Sequence, residues 1–578
     1  MKTPKLCGPL FVLILLALAL GPPAARTLAQ SPSASSSSQQ AQQPPTIRAT
    51  TRLVQVNVVV LDKKGEPVRG LTKEDFTLVD QGHPQTVAYF AEEGSAPPPP
   101  AVAGSPAHSF TTNAFTNRPQ EPSQLPPSVT ILLFDALNTQ IQDQAYARQQ
   151  ILKFLKQLPP RSSVAVYVLT SQIRIIQDFT QDTALLQRAV EKYSGQYSPQ
   201  LDASTPDSVT LAGNSGGGDA MSSSLQQAED ALNAALQRMA DFFTVNRVEA
   251  TAAALEAIAN HVARVPGRKN LVWVSGGFPI AIGLDGDSID SAERDRRHFG
   301  DEIERAARAM NQADLAIYPV DARGLMTLPQ FSAANRTPFN PRQPQKNFPR
   351  VDRNNIDAMN MLAERTGGHA FYNTNDLSGA IHRAVTDSEC SYTLSYYPDH
   401  GKWDDKFHEI KVHVSRPGTE VRARKGYFAT SDPPNNGAEL KASLDGAVWS
   451  PIDASGLALH VHVDRSPADP GKLRLVFGLD LHQLLITESA GQWTGEIDTL
   501  LLVWGKQTDA PTGEQKHIAI NLEKSRYEEL LKTGVTGTWD VPVPPGATSL
   551  KLIVRDGRSG ALGSLTIPLA RVAALHSS

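Results

Sequence analysis

The stretch Val129-Thr130-Ile131-Leu132-Leu133-Phe134-Asp135-Ala136-Leu137-Asn138-Thr139 decides the fold of this chain. Its first part, Val129 to Phe134, is apolar or β-branched throughout and does not alternate with charge. A strand of that kind needs cover on both faces, which is the habit of a parallel sheet packed between helices. The run ends at an acid and a polar loop. Downstream, residues 143–158 place Tyr146, Ile151, Leu152, Phe154, Leu155 and Leu158 on roughly one helical face. Residues 163–169 and 173–179 read as strands joined by a turn near Thr170-Ser171. That link is too short for a crossover, so the pair is expected to be antiparallel, with one member at an edge.

Beyond Gly216-Gly217-Gly218, residues 222–243 carry Leu225, Ala228, Leu232, Leu236, Met239 and Phe243 at helical spacing, and a further helix is expected over 248–265. Strand 271–274, helix 301–313, strand 315–320, helix 356–366, strand 369–372 and helix 377–387 continue the alternation. The expected fold class is therefore α/β, a doubly wound and mainly parallel sheet over 128–388. On its N-terminal side, 47–93 reads as a small β unit with a turn at Asp62-Lys63-Lys64-Gly65, followed by a Pro-rich linker at 94–127. On its C-terminal side, 389–430 reads as a β extension of the α/β domain. Residues 438–573 offer about seven strands, enough for a C-terminal β-sandwich.

The chain has 578 residues, and one hydrophobic core stops growing at roughly 250 to 300, so two or three domains are expected. A formal net charge of −4 with 20% charged residues gives no basic field, which argues against nucleic acid as a partner. Lys2 and Lys5, the apolar run from Leu10 to Leu20 and the small-residue exit Thr27-Leu28-Ala29 read as a signal peptide over 1–29. The run is short of the approximately 20 residues that span a bilayer. A leader at 30–46, rich in Ser and Gln, lacks large apolar residues. Export to the periplasm or the exterior is expected, with no stable transmembrane segment in the mature form. Cys390 is then the only cysteine, so no disulfide framework is available, and it reads as an apolar filler in a strand.

Ligands of open α/β sheets sit beyond the carboxyl ends of the strands. Here those ends carry Asp135 to Thr139, Ser275-Gly276-Gly277 and Asp321-Ala322-Arg323-Gly324. This order of strand, Asp-led loop, helix, antiparallel edge pair, helix, strand and Gly-rich loop resembles the von Willebrand factor A domain. More narrowly, Phe76 to Asp80, Asp135 to Thr139, Arg268 to Pro279 and Val320 to Gly324 resemble the VWFA-related domain proteins common in acidobacteria. The resemblance covers roughly residues 47–430.

It implies a metal-ion-dependent adhesion site, with hard oxygen ligands around Mg²⁺ or another divalent cation and one position open to a partner's carboxylate. Against that pattern Asp135 is kept, Leu137 stands at the first Ser position and Thr139 at the second. Ser275 and Gly276 stand where the family has an Asp, and Thr251 is nearest to the family's second-loop Thr. The resemblance thus implies a degenerate site with Asp135, Asn138, Thr139 and Ser275 as candidate ligands. The alternative for Asp135 and Thr139 is that they cap the following helix. An ion pair is expected between Asp321 and Arg323.

Asp285 to Asp290 lacks the register of a calcium loop, and Gly216 to Asp219 lacks that of a phosphate loop. The function expected is that of a non-enzymatic adhesion or binding protein that docks a protein or an envelope or matrix macromolecule. Two alternatives stand beside it, a structural cell-envelope component and a hydrolase using Ser275.

Overall fold

The computed structural model describes residues 53–93, 113–117, 128–159, 162–204, 219–265, 268–277, 281–282, 297–325, 350–387, 390–399, 403–404, 406–429, 437–469, 471–489, 491–505 and 510–572. The expected signal peptide and leader, most of the linker, the triple glycine at 216–218 and the acidic loop at 285–290 lie outside them.

The central sheet has five strands in the order Leu315–Asp321, Arg268–Ser275, Ser128–Asp135, Ser163–Leu169, Ile173–Thr180. The first four are parallel, and the last turns back antiparallel at the edge. Alternation along Ser128–Asp135 sorts its side chains. Ile131 and Leu133 point to one core, Leu132 and Phe134 to the other. The helices are α1 (Ile141–Leu155), α2 (Thr183–Lys192), α3 (Pro199–Ala203), α4 (Asp219–Val262), α5 (Gly300–Gln312), α6 (Arg350–Thr366) and α7 (Leu377–Thr386). Helices α4, α5 and α6 cover the first face, and α1, α2 and α7 the second. Helix α2, absent from the sequence reading, is announced by Asp182, whose carboxylate caps the amides of Ala184 and Leu185.

Two expectations for this domain change. The separate helices expected over 222–243 and 248–265 are one 44-residue helix, α4. The intervening Thr244-Val245-Asn246-Arg247 contains weak helix formers but no breaker, and the Thr244 hydroxyl donates back to the Ala240 carbonyl inside the helix. The strand expected at 369–372 is a single bridge between Val320 and Phe371. Among the described residues no helix is long and apolar enough to cross a membrane.

The larger correction concerns the flanks. The β unit expected at 47–93 and the β extension expected at 389–430 are two halves of one sandwich. One sheet runs Glu420–Ala423, Val54–Leu61, Ser391–Tyr396, Val87–Glu93; the other runs Gly426–Phe428, Phe407–Val414, Phe76–Asp80, His83–Gln85. Val56, Val58, Leu78, Tyr392, Leu394 and Ile410 share its core with Cys390. Val54–Leu61 is buried at seven of its eight positions, more cover than the short strands of the N-terminal unit alone can give. The α/β domain is thus an insertion in this sandwich. At the junction Arg422 of the sandwich pairs with Asp387 just beyond α7 at 2.8 Å. Arg268 donates to the Tyr318 hydroxyl at 3.2 Å and the Gly367 carbonyl at 3.0 Å.

The C-terminal region also forms two sheets on one core. They are Val535–Pro542, Lys472–Leu479, Leu459–Arg465, Ala114–Thr116 and Thr487–Ser489, Gln492–Gly505, Ala547–Asp556, Leu562–Pro568, with Thr512–Glu523 paired to Gln492–Gly505. Ala114–Thr116 comes from the stretch expected to be a linker. It pairs with His460–His462, and the Asn117 amide anchors it to the carbonyls of Ala454 and Leu457. Two helices missing from the sequence reading, α8 (Gly437–Trp449) and α9 (Lys524–Thr533), complete this region.

Candidate functional site at the carboxyl end of the central sheet

Asp135, Ser275 and Asp321 are the last residues of three adjacent parallel strands, so the sheet register brings them to one end. The loop after Asp135 is tied down by backbone and side chain together. The amides of Ala136 and Leu137 donate to the Leu169 carbonyl, and the Gln144 side-chain amide donates to the carbonyls of Thr139 and Gln196. Gly276 has no room for a side chain, because a Cβ there would lie 2.4 Å from the Asn138 carbonyl oxygen. Gly277 has a positive φ of 82°.

The sequence-predicted residues do come together, but they face one another. Asp135 is 1% exposed. Its Oδ1 accepts the Asn138 backbone amide at 3.0 Å. Its Oδ2 accepts from Asn138 Nδ2 at 2.8 Å, Trp273 Nε1 at 3.0 Å and Ser275 Oγ at 2.7 Å. Asn138 Nδ2 also donates to Thr251 Oγ1 at 2.7 Å, and Asn138 Oδ1 accepts from the Arg247 guanidinium at 2.6 Å. Thr139 Oγ1 accepts the Gly276 amide at 3.0 Å, and Ser275 Oγ accepts the Gly277 amide at 2.9 Å.

Burial holds the Asp135 carboxyl above its ordinary pKa, opposed by the hydrogen bonds from Ser275, Asn138 and Trp273. Burial likewise pulls Arg247 down to about 10, against the opposing pull of the Asp135 charge.

This arrangement tests the cation that the resemblance implies. A divalent metal of the Mg²⁺ or Ca²⁺ type needs six or more oxygens with lone pairs turned toward it. Here both Asp135 oxygens, Thr139 Oγ1, Ser275 Oγ and Asn138 Oδ1 already accept N–H or O–H donors, and a guanidinium lies one amide away. The residues present do not fit the ion. Among the described residues, no group of three or more His, Cys, Asp or Glu side chains is placed to hold a metal.

The capping alternative also fails, because Gln140 is the N-terminal cap residue of α1 and makes no side-chain cap, and Asp135 and Thr139 spend their bonds elsewhere. Ser275 is fully buried and its Oγ already accepts the Gly277 amide, so the hydroxyl is closed to the substrate carbonyl a hydrolytic nucleophile must meet.

Thr251, identified as the nearest second-loop hydroxyl despite its helical position, belongs to the network from within α4. Arg247 and Trp273 were missed. Trp273 sits two residues before Ser275 on the same face of its strand, so strand periodicity could have found it; nothing local marks Arg247. At the rim Asp321 and Arg323 form the expected pair, with Nε to Oδ1 and the second guanidinium nitrogen to Oδ2 both at 2.9 Å. Beside them burial, reinforced by the Asp321 charge, raises the pKa of Asp143.

No protein-family model matches the chain, and no curated protein does. Among solved structures, the chain is similar to an aerotolerance-related membrane protein from Bacteroides fragilis, at 14% identity and a TM-score of 0.24. That match covers 45% of this chain and 98% of the other. A von Willebrand factor type A protein from Catenulispora acidiphila gives 8% identity and a TM-score of 0.23, covering 76% of this chain and 65% of the other. A proximal thread matrix protein from the mussel byssus with a zinc-occupied adhesion motif gives 10% identity and a TM-score of 0.23, covering 47% and 48%. Scores of this size decide neither fold nor function.

Proposed function

We propose that this chain is an exported, non-enzymatic binding protein whose von Willebrand A-like central domain docks a protein of the cell envelope or matrix without a metal ion. One observation supports this reading above the others: the carboxyl end of the sheet, where an α/β domain places its ligands, is closed by a buried network in which each candidate metal ligand already has a partner. Such a network rigidifies loops and leaves the chemistry of recognition to the rim, where the half-buried Asp143 and Arg323 lie, the latter held by the buried Asp321. The adhesion motif is on this reading a scaffold and not a coordination site.

The test combines calorimetric titration of the purified chain with Mg²⁺, Mn²⁺ and Ca²⁺ and a measurement of its binding to immobilised envelope and matrix proteins with and without EDTA. No saturable cation binding, together with saturable protein binding that EDTA leaves unchanged, is expected. Cation binding that disappears in Asp135→Ala would return the site to metal. Absence of saturable protein binding in both buffers would remove the docking role.

A further inference from the structure

Helix α4 changes character along its length. From Val248 onward Val248, Leu255, Ile258, Ala259 and Val262 are fully buried against the sheet. Residues 223–239 are all half-buried or exposed, so about five turns stand clear of the core among the described residues. Within that stretch Leu232 is 39% exposed and Met239 51%, and just past the buried Ala240, Phe242 is 60% exposed. These residues belong to a repeat: Leu225, Leu232 and Met239 recur every seven residues, and so do Ala228, Ala235 and Phe242. In heptad terms they are the a and d positions of a two-helix contact.

We infer that α4 pairs with α4 of a second copy of this chain, antiparallel, about a two-fold axis between Asn233 and Ala234. Only that placement sets every a residue against a d residue at once: Leu225 meets Phe242, Leu232 meets Ala235 and Met239 meets Ala228. The inner layers then each combine one large and one small side chain, which lets the helices interdigitate. A parallel pair would stack Ala on Ala at two layers and leave them underfilled.

The antiparallel geometry also opposes the two helix dipoles. It puts Val248, where the face fully buried against the sheet begins, about 22 Å from the axis, so the two bodies leave on opposite sides. An isologous contact of this kind closes as a dimer. It is about 27 Å long and one helix wide, below the size of a standard interface, so association is concentration-dependent. The inference rests on α4 alone and is independent of what the rim docks.

Sedimentation of the full chain across a concentration series tests it. A monomer–dimer equilibrium is expected, with Leu232→Glu weakening the dimer at least about tenfold by forcing a charge into the apolar contact. Gln227→Glu, off the contact, leaves it unchanged, and circular dichroism confirms that both variants keep their helix. Orientation is read by oxidising mixed Leu225→Cys and Phe242→Cys chains in a Cys7→Ser background, where covalent dimers should form only from the mixture. A monomer at every concentration, a dimer indifferent to Leu232→Glu, or cross-linking of each variant with itself would overturn the proposal.

Discussion

Two buried aspartates sit at opposite ends of the α/β domain and are treated differently. At the carboxyl end Asp135 is satisfied wholly by uncharged donors, and the nearest cation, Arg247, reaches it only through the amide of Asn138. At the sandwich junction Asp387 meets Arg422 directly at 2.8 Å, and the charge of Arg268 acts on it as well. Burial is the main influence on both carboxyls, and both are held above their ordinary pKa. A directly paired charge fixes one domain against another, whereas a carboxylate surrounded by neutral donors fixes a loop and turns no free lone pair toward an incoming cation.

The sharpest way to break this contrast is to remove each carboxylate. Asp387→Ala leaves Arg422 and Arg268 buried with less compensation and is expected to cost about 3–5 kcal/mol in chemical denaturation. Asp135→Ala strands only neutral donors, so about 2 kcal/mol is expected. A loss as large as that of Asp387→Ala would show that Arg247 and Asp135 act as an ion pair after all.

The smallest effect sharpens the comparison through pH. A carboxyl with a raised folded-state pKa favours folding most below the unfolded value of about 4, and that contribution is lost as pH rises through the folded pKa. The stability advantage of the wild type over Asp135→Asn should therefore shrink in denaturation midpoints as pH rises above about 4. An advantage that grows with pH would contradict the burial argument.

What the sequence made legible follows from where the information is local. Val129 to Phe134 and Leu271 to Val274 are short buried runs bounded by turn residues, so their strands could be read directly, and the short Thr170-Ser171 turn dictated the antiparallel edge. Asp135, Asn138, Thr139 and Ser275 were gathered in advance because strand ends in one sheet converge. Their chemistry was not legible, since it depends on Trp273 and Arg247 supplying donors from other elements. Nor was the union of 53–93 with 390–429, because strand alternation names a buried face but not its partner. Ala114–Thr116 shows the same limit: a three-residue strand in a Pro-rich stretch has no periodicity to detect.

The insertion has a consequence in time. The Thr116 hydroxyl donates to the carbonyl of Leu459, a residue 343 positions later in the chain. At a synthesis rate of about 5–20 residues per second, that partner emerges roughly 17 to 70 seconds after the strand that awaits it. Val54–Leu61 waits comparably long for Ser391–Tyr396. For that interval the earliest-made strands expose unpaired edges and apolar faces while the α/β domain between them can already close on itself. Between Val54–Leu61 and the α/β domain the order of birth is thus the reverse of the order of completion: the strand made first waits until the domain made after it can already have closed.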